Sequence, residues 1–353
     1  MLKRKITKRL HTWLQTEPRK ALFVTGPRQV GKSYAVRAFG REHFPTFIEI
    51  NLLHNKQART ALLEASNAED FISRISIIMS TKLEIGHTLI FIDEVQTAPD
   101  IMTMAKFLVE DGRFRWAFSG SMLGTELRGI RSHPVGYVHE ISLQPMDFEE
   151  FCWAIDVSEQ AMEQIRTACH NEEPVADYIH TAMLTNLRTY LVVGGMPEVV
   201  QTFLDTRGDL ARVRSLQHDL NSQYRRDISQ YAGNRALYVQ SIFDQLPVQL
   251  EGDSQRFVLN SIDPEARYVR FQRDFVWLQS AGSASKPILS LSRNPLCSKQ
   301  PKKSNSSSIN QIRACSSSAT RPACSRRLPQ RQAPQPRRHI RELRSARTNS
   351  AGT

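Results

Sequence analysis

Two short stretches of the chain combine residue types that suit phosphate chemistry. Gly26-Pro27-Arg28-Gln29-Val30-Gly31-Lys32-Ser33 has the spacing Gly-x-x-x-x-Gly-Lys-Ser. Gly26 and Gly31 let the backbone turn tightly, so that successive N–H groups converge on phosphate oxygens at a helix N-terminus, whose dipole also favours anions. Lys32 is then placed to bridge the β- and γ-phosphates, and the Ser33 hydroxyl to ligate Mg2+. Further along, His87-Thr-Leu-Ile-Phe-Ile-Asp93-Glu94 is an apolar run that ends on two carboxylates. Asp93 suits the role of holding the metal's water shell, and Glu94 that of polarising a water for attack on the γ-phosphate. A third run, Arg115 to Ser121, ends in Ser-Gly-Ser. Ser119 or Ser121 could hydrogen-bond the attacking water or the γ-phosphate, although a simple turn accounts for the same residues. Candidate nucleotide contacts are therefore Gly26 to Ser33 together with Ser119. Lys32 and Glu94 are the candidate catalytic groups, and Ser33 and Asp93 the candidate metal ligands. The chain has no Asn-Lys-x-Asp guanine signature, which favours ATP over GTP. Arg28, Arg128 and Arg131 each offer a positive charge for a transition state.

These groups work only if the chain delivers them to one place. Ala21 to Val24 is a short apolar run suited to a buried parallel strand, and a helical stretch follows the glycine loop to about Glu42. The runs ending at Glu94 and Ser121 read as two more buried strands. At the start of the chain, Leu2, Ile6, Leu10, Trp13 and Leu14 recur at three and four residues, which describes one face of a packed helix whose wet side carries Lys3, Arg4, Lys5, Lys8 and Arg9. A secretory signal needs an uninterrupted apolar stretch, and none is present. Helical patterns return around Ala236 to Leu246, Ser254 to Ile262 and Ala266 to Ala281. Arg267, Arg270 and Arg273 fall three apart in the last of these, where they either meet phosphates or line a solvated face.

The composition bounds the class. With 353 residues, 40% hydrophobic and 23% charged, the chain can bury a sizeable core, which excludes a wholly disordered or fibrous protein. No run of about 18 apolar residues exists, so no membrane partner is expected. Five cysteines without a C-x-x-C pair fit a reducing cytoplasm. The formal charge of +12 is unevenly spread: Ala284 to Thr353 carries 15 of the 47 Lys and Arg but only one of the 35 Asp and Glu, so this tail holds +14 and the remainder −2. The tail is poor in large apolar residues and rich in Ser, Pro and Arg, a composition that stays disordered. It reads either as a basic arm for nucleic acid or an acidic surface, or as a frameshifted terminus.

Taken together, G-P-R-Q-V-G-K-S (26–33), L-I-F-I-D-E-V-Q (89–96), F-S-G-S (118–121), L-Q-P-M-D-F-E-E-F (143–151) and G-G-M-P-E (194–198) occur in this order over roughly residues 1–282. The set resembles the prokaryotic AAA-type ATPase family in which the ATPase domain is followed by a domain of unknown function. The resemblance implies an α/β P-loop NTPase fold of the additional-strand type: a parallel sheet with helices on both faces, the Ser121 strand inserted between the loop strand and the acidic strand. It implies the nucleotide roles already given to Gly26, Gly31, Lys32, Ser33, Asp93 and Glu94. It also implies a winged-helix-like start to a C-terminal domain from about Asp227, and marks the tail as a truncated or frameshifted end of that domain. Where many relatives hold a Gly-Arg pair, this chain has Pro134-Val-Gly-Tyr137, so no arginine finger transfers. The Gly194 to Glu198 motif suits a tight turn between helices. The expected organisation is a P-loop ATPase domain over 1–155, a helical region over 156–283 and a disordered tail over 284–353. The expected activity is Mg2+-dependent ATP hydrolysis coupled to a conformational change, with an ATP-switched nucleic-acid-binding regulator as the alternative. The oligomeric state is left open.

Overall fold

The computed structural model describes residues 2–121, 136–251, 257–262, 268–280, 284–285 and 313–314. Arg128, Arg131, Pro134, Arg267 and nearly all of the Ser- and Arg-rich tail lie outside the described residues. Five strands, β1 (Ala21–Gly26), β2 (Thr46–Asn51), β3 (Thr88–Asp93), β4 (Arg115–Ser121) and β5 (Val138–Ser142), form one parallel sheet in the order β2-β3-β4-β1-β5. The strand ending at Ser121 therefore lies between the loop strand β1 and the acidic strand β3, as an additional-strand P-loop sheet requires. Every residue of β1 and β3 is buried, which is why both read as continuous apolar runs without alternation.

The sheet is covered on both faces, and the two-residue period of the strands assigns each side chain to a layer. Leu22, Val24, Leu89, Phe91 and Ala117 join one core with α1 (Ile6–Thr16), α2 (Lys32–His43) and α6 (Phe148–Ala154). Ala21, Phe23, Ile90, Ile92, Trp116 and Phe118 join the opposite core with α3 (Lys56–Leu63), α4 (Ala68–Met79) and α5 (Ile101–Asp111). The three- and four-residue spacing at the start of the chain is realised in α1, where Ile6, Leu10 and Trp13 are its buried residues. Fully burying a side chain of this kind contributes about 1.5–3 kcal/mol, so each of these layers is a major source of stability.

Beyond the sheet the described chain is helical: α7 (Glu159–Asn171), α8 (Asp177–Val193), α9 (Pro197–Asp205), α10 (Leu210–Tyr231), α11 (Ala236–Glu251) and α12 (Tyr268–Ser280). The pattern expected over 254–262 is realised, among its described residues, as a short 3-10 turn at Leu259–Ser261. The described tail residues form one two-residue antiparallel pairing, Ala284–Ser285 with Arg313–Ala314. The 22-residue α10 belongs to two cores. Val213 and Leu220 pack in the layer over β1, whereas Tyr224 and Ile228 pack with Ile242, Phe243, Phe271 and Leu278 in a third core built from α10, α11 and α12. No helix among the described residues is long and apolar enough to cross a membrane.

Candidate functional site

β1 ends in the glycine loop, and the two glycines have different reasons to be there. At Gly26 the backbone runs at φ +146°, and a Cβ would sit 2.0 Å from the Leu143 carbonyl oxygen, so no other residue fits without moving β5's continuation. Gly31 has open space around it but a left-handed φ of +90°, the turn that starts α2. Val30 is fully buried and anchors the loop to the core. α2 carries no acid in its first turn and no side-chain cap, which leaves its positive end available to an anion.

Lys32 folds back under the loop. Its ammonium donates to the carbonyls of Gly26 at 3.1 Å and Pro27 at 2.7 Å, and the residue is only 6% exposed. Burial pulls its pKa down to about 8, against the opposing pull of Glu94 and Asp93, and the nearby Arg28 charge lowers it further. Asp93 at the end of β3 is the hub of the polar network. Its Oδ2 accepts from the Ser33 hydroxyl at 2.8 Å and from Asn51 Nδ2 at 3.0 Å, and its Oδ1 accepts from the Ser119 hydroxyl. Asn51 reaches it because the β2–β3 register sets Asn51 directly beside Asp93. Ser119 is fully buried, its hydroxyl donates to Asp93, and it lies beside the acid rather than among the residues that line the open cleft.

Glu94 follows Asp93 in a left-handed conformation, φ +60°, which turns the chain sharply and points its carboxylate into the cleft. Non-glycine residues held there cost about 1–3 kcal/mol and persist where the surroundings impose them. Gln96 donates to the Glu94 carboxylate, while its own carbonyl oxygen accepts from the Ser121 backbone N–H at 3.1 Å. Ser121 thus serves the network through its backbone.

The cleft, about 660 Å3, has a second wall that no sequence signal announced. α10 lies across the loop and contributes Gln223, Tyr224, Arg226 and Asp227. The Arg28 guanidinium pairs with the Asp227 carboxylate at 2.5 Å, Gln29 hydrogen-bonds Gln223, and the Tyr224 hydroxyl donates to the Arg28 carbonyl at 3.2 Å. Burial raises the Asp227 pKa, the Arg28 charge opposes that rise, and the Glu94 charge adds to it.

On the other side of the loop, an apolar cavity of about 420 Å3 is lined by residues that include Leu2, Ile6, Phe39 and Pro197 and shares Gln29, Gly31 and Tyr34 with the cleft. Two of the sequence motifs meet at its edge. α8 ends at Val193 and is capped by Gly194, φ +80°, and a Cβ on Gly195 would lie 2.2 Å from the Met146 carbonyl oxygen. Met146 N–H donates to the Gly195 carbonyl at 2.6 Å and the Tyr190 hydroxyl donates to the Met146 carbonyl at 2.8 Å. Pro197 then opens α9 and sets Glu198 on the cavity rim. In the partner motif, Asp147 and Glu150 form a capping box at the start of α6, and Glu150, 4% exposed, also accepts from the Lys5 N–H at 2.6 Å and pairs with Arg4 at 3.1 Å. Both motifs are thus structural ties that hold α1, α6 and α9 around the loop.

Residues 18–152 match the family described as AAA domain, and residues 184–304 match one described as Domain of unknown function (DUF8612). The second match continues past residue 283, where the basic tail was expected to begin. No curated protein matches the chain. Among solved structures, PCH-2 of C. elegans is 13% identical over 56% of this chain and 56% of its own, with a TM-score of 0.31. The Aeropyrum pernix ORC1 protein in complex with DNA is 12% identical over 79% and 82%, with a TM-score of 0.30. The Pif1 helicase from Candida albicans is 12% identical over 47% and 48%, with a TM-score of 0.29. The chain spans 56% of the length of PCH-2 and 48% of Pif1. The parallel β2-β3-β4-β1-β5 sheet, the glycine loop on β1 and the acidic pair closing β3 all fall within the residues that match the AAA domain family, and the residues that match the domain of unknown function follow them.

Proposed function

We propose that the chain hydrolyses ATP in a Mg2+-dependent reaction whose outcome is passed to the helical region through α10. The observation that carries this reading is the convergence of Lys32, Ser33 and Glu94 on one cleft, with Asp93 hydrogen-bonded to Ser33 behind it. The triphosphate fits the loop between Gly26 and Ser33, with Lys32 on the β- and γ-phosphates, and the apolar cavity beside Gly31 and Tyr34 suits the base. Ser33 and Asp93 are the donors for Mg2+. Among the described residues no cluster of three or more His, Cys, Asp or Glu could hold a metal by itself. Mg2+ takes one or two protein oxygens, which Ser33 and Asp93 could supply, and completes its shell with phosphate and water. When bound, the ion neutralises charge on the β- and γ-phosphates.

Glu94 accepts a proton from the attacking water while the water oxygen bonds to the γ-phosphorus and the bond to the β-phosphate oxygen breaks, releasing ADP and phosphate. Gln96 fixes the Glu94 carboxylate for this, and Ser119 and Asn51 fix Asp93. In this reading the ATPase portion spans 1–155 and the helical portion 156–283. A nucleic-acid role has less support: Arg270 is exposed but donates to the Tyr238 hydroxyl at 3.2 Å.

Phosphate release from ATP with and without Mg2+, together with equilibrium nucleotide binding, tests the reading. Lys32→Ala should lose nucleotide binding. Glu94→Gln should keep binding and lower turnover by about 10²–10⁴-fold, the range for a general base. Undiminished turnover in Glu94→Gln removes that residue from its role.

A further inference from the structure

We propose that Arg28 is the cation that takes the γ-phosphate, and that Asp227 of α10 holds this cation until the γ-phosphate withdraws it. The inference rests on the ATPase reading and adds to it a charge that senses the third phosphate. Arg28 is the third residue of the loop, and its guanidinium lines the same cleft as Lys32, Ser33 and Glu94. Its backbone is held by the Tyr224 hydroxyl, while its side chain crosses to Asp227.

The pair is neither sealed nor free. Arg28 and Asp227 side chains are 32% and 19% exposed, so a ligand in the cleft can reach the guanidinium without unfolding anything. The charges in the cleft explain why the partner should change. Lys32, Arg28 and Arg226 line the cleft with Glu94 and Asp227, and Asp93 lies behind them on Ser33, so three cations are set against three anions. A γ-phosphate brings further negative charge and several acceptor oxygens, which a guanidinium binds as a planar fork. It also repels Asp227, which already shares the cleft with Glu94. ADP lacks this group and leaves the Arg28–Asp227 pair in place.

The consequence lies in α10. Asp227 is on the part of the helix that carries Tyr224 and Ile228 into the third core with α11 and α12. Release of Asp227 therefore removes the charged tie between that core and the loop, leaving the Gln223 and Tyr224 hydrogen bonds, and its recapture after hydrolysis restores it. Arg28 and Asp227 are 199 residues apart, and the contact links the nucleotide cleft to the region matched by the domain of unknown function.

The test compares full-length variants by calorimetric binding of AMP-PNP, a non-hydrolysable ATP analogue, and of ADP, each with Mg2+. Asp227→Asn should tighten AMP-PNP about tenfold and change ADP less than about twofold. Arg28→Ala should weaken AMP-PNP by about tenfold or more, toward the ADP value, and Arg28→Lys should recover part of that loss. In the double variant the gain from Asp227→Asn should vanish, because no cation remains to be released. Circular dichroism and thermal melting verify that each variant folds, and the isosteric Asp227→Asn keeps the question answerable if Arg28→Ala does not. Equal effects on AMP-PNP and ADP, or additive effects in the double variant, overturn the proposal while leaving the ATPase reading intact. Failure of the wild-type chain to bind either nucleotide overturns both.

Discussion

Lys32→Met isolates what the buried ammonium costs the empty protein. Met matches the length of the Lys stem and carries no charge. Burial draws the Lys32 pKa from its ordinary 10.5 to about 8, so at neutral pH the folded chain holds a charge that burial disfavours. The difference corresponds to about 3 kcal/mol. Met also forgoes hydrogen bonds to the Gly26 and Pro27 carbonyls, each contributing about 0.5–1.5 kcal/mol. The empty variant should therefore be about 1 kcal/mol more stable than the wild type at pH 7. Between about pH 8 and 10.5 the folded wild type has released the proton that the unfolded chain still binds, so wild-type stability rises across this window relative to the variant. Below pH 8 both states bind the proton and the cost is fully present. Urea unfolding followed by the fluorescence of the buried Trp13 and Trp116 measures both effects. Other titrating groups are common to the two proteins and cancel in the difference. Wild-type and variant stabilities that stay parallel from pH 7 to 10 would refute the reasoning, because they would mean that the Lys32 ammonium is as well solvated folded as unfolded.

Three further outcomes are expected. The same protonation makes ATP affinity fall as pH rises through about 8, since only the charged ammonium attracts phosphate; a titration of binding against pH checks this, and a flat profile through that range counts against Lys32 as a ligand. Gly195→Ala should destabilise by about 1–3 kcal/mol, because its Cβ meets the Met146 carbonyl, and should loosen the apolar cavity rather than the phosphate loop; denaturant midpoints and AMP binding distinguish these. Phe271→Ala should cost about 3–5 kcal/mol in the third core while sparing the sheet, so hydrogen exchange should accelerate in α10 to α12 ahead of β1 and β3.

What could be read from the sequence alone was local. The strand β1, the glycine loop and α2 follow from an apolar run, two glycines and a helical period within a few turns of chain, and the acidic end of β3 follows from one apolar run and two carboxylates. The insertion of β4 between β1 and β3 followed from the motif set and its family resemblance. Spacing encodes such features because the two- and 3.6-residue periods act between near neighbours. Neither the partner of Asp93 on β2 nor the direction of Ser119 had such a signal, since both depend on which strands lie side by side and in what register. The turn reading of Gly194 to Glu198 held, but its tie to Met146 required two segments distant in sequence to meet. The least legible feature is the wall of the cleft formed by α10. Its residues Gln223 and Asp227 look like the solvated face of any polar helix, and only the packing of Val213 and Leu220 on one core and Tyr224 and Ile228 on another lays that face across the loop. Backbone conformation at a phosphate loop is determined by a handful of adjacent residues, whereas the company the loop keeps is decided by burial summed over the whole tertiary structure.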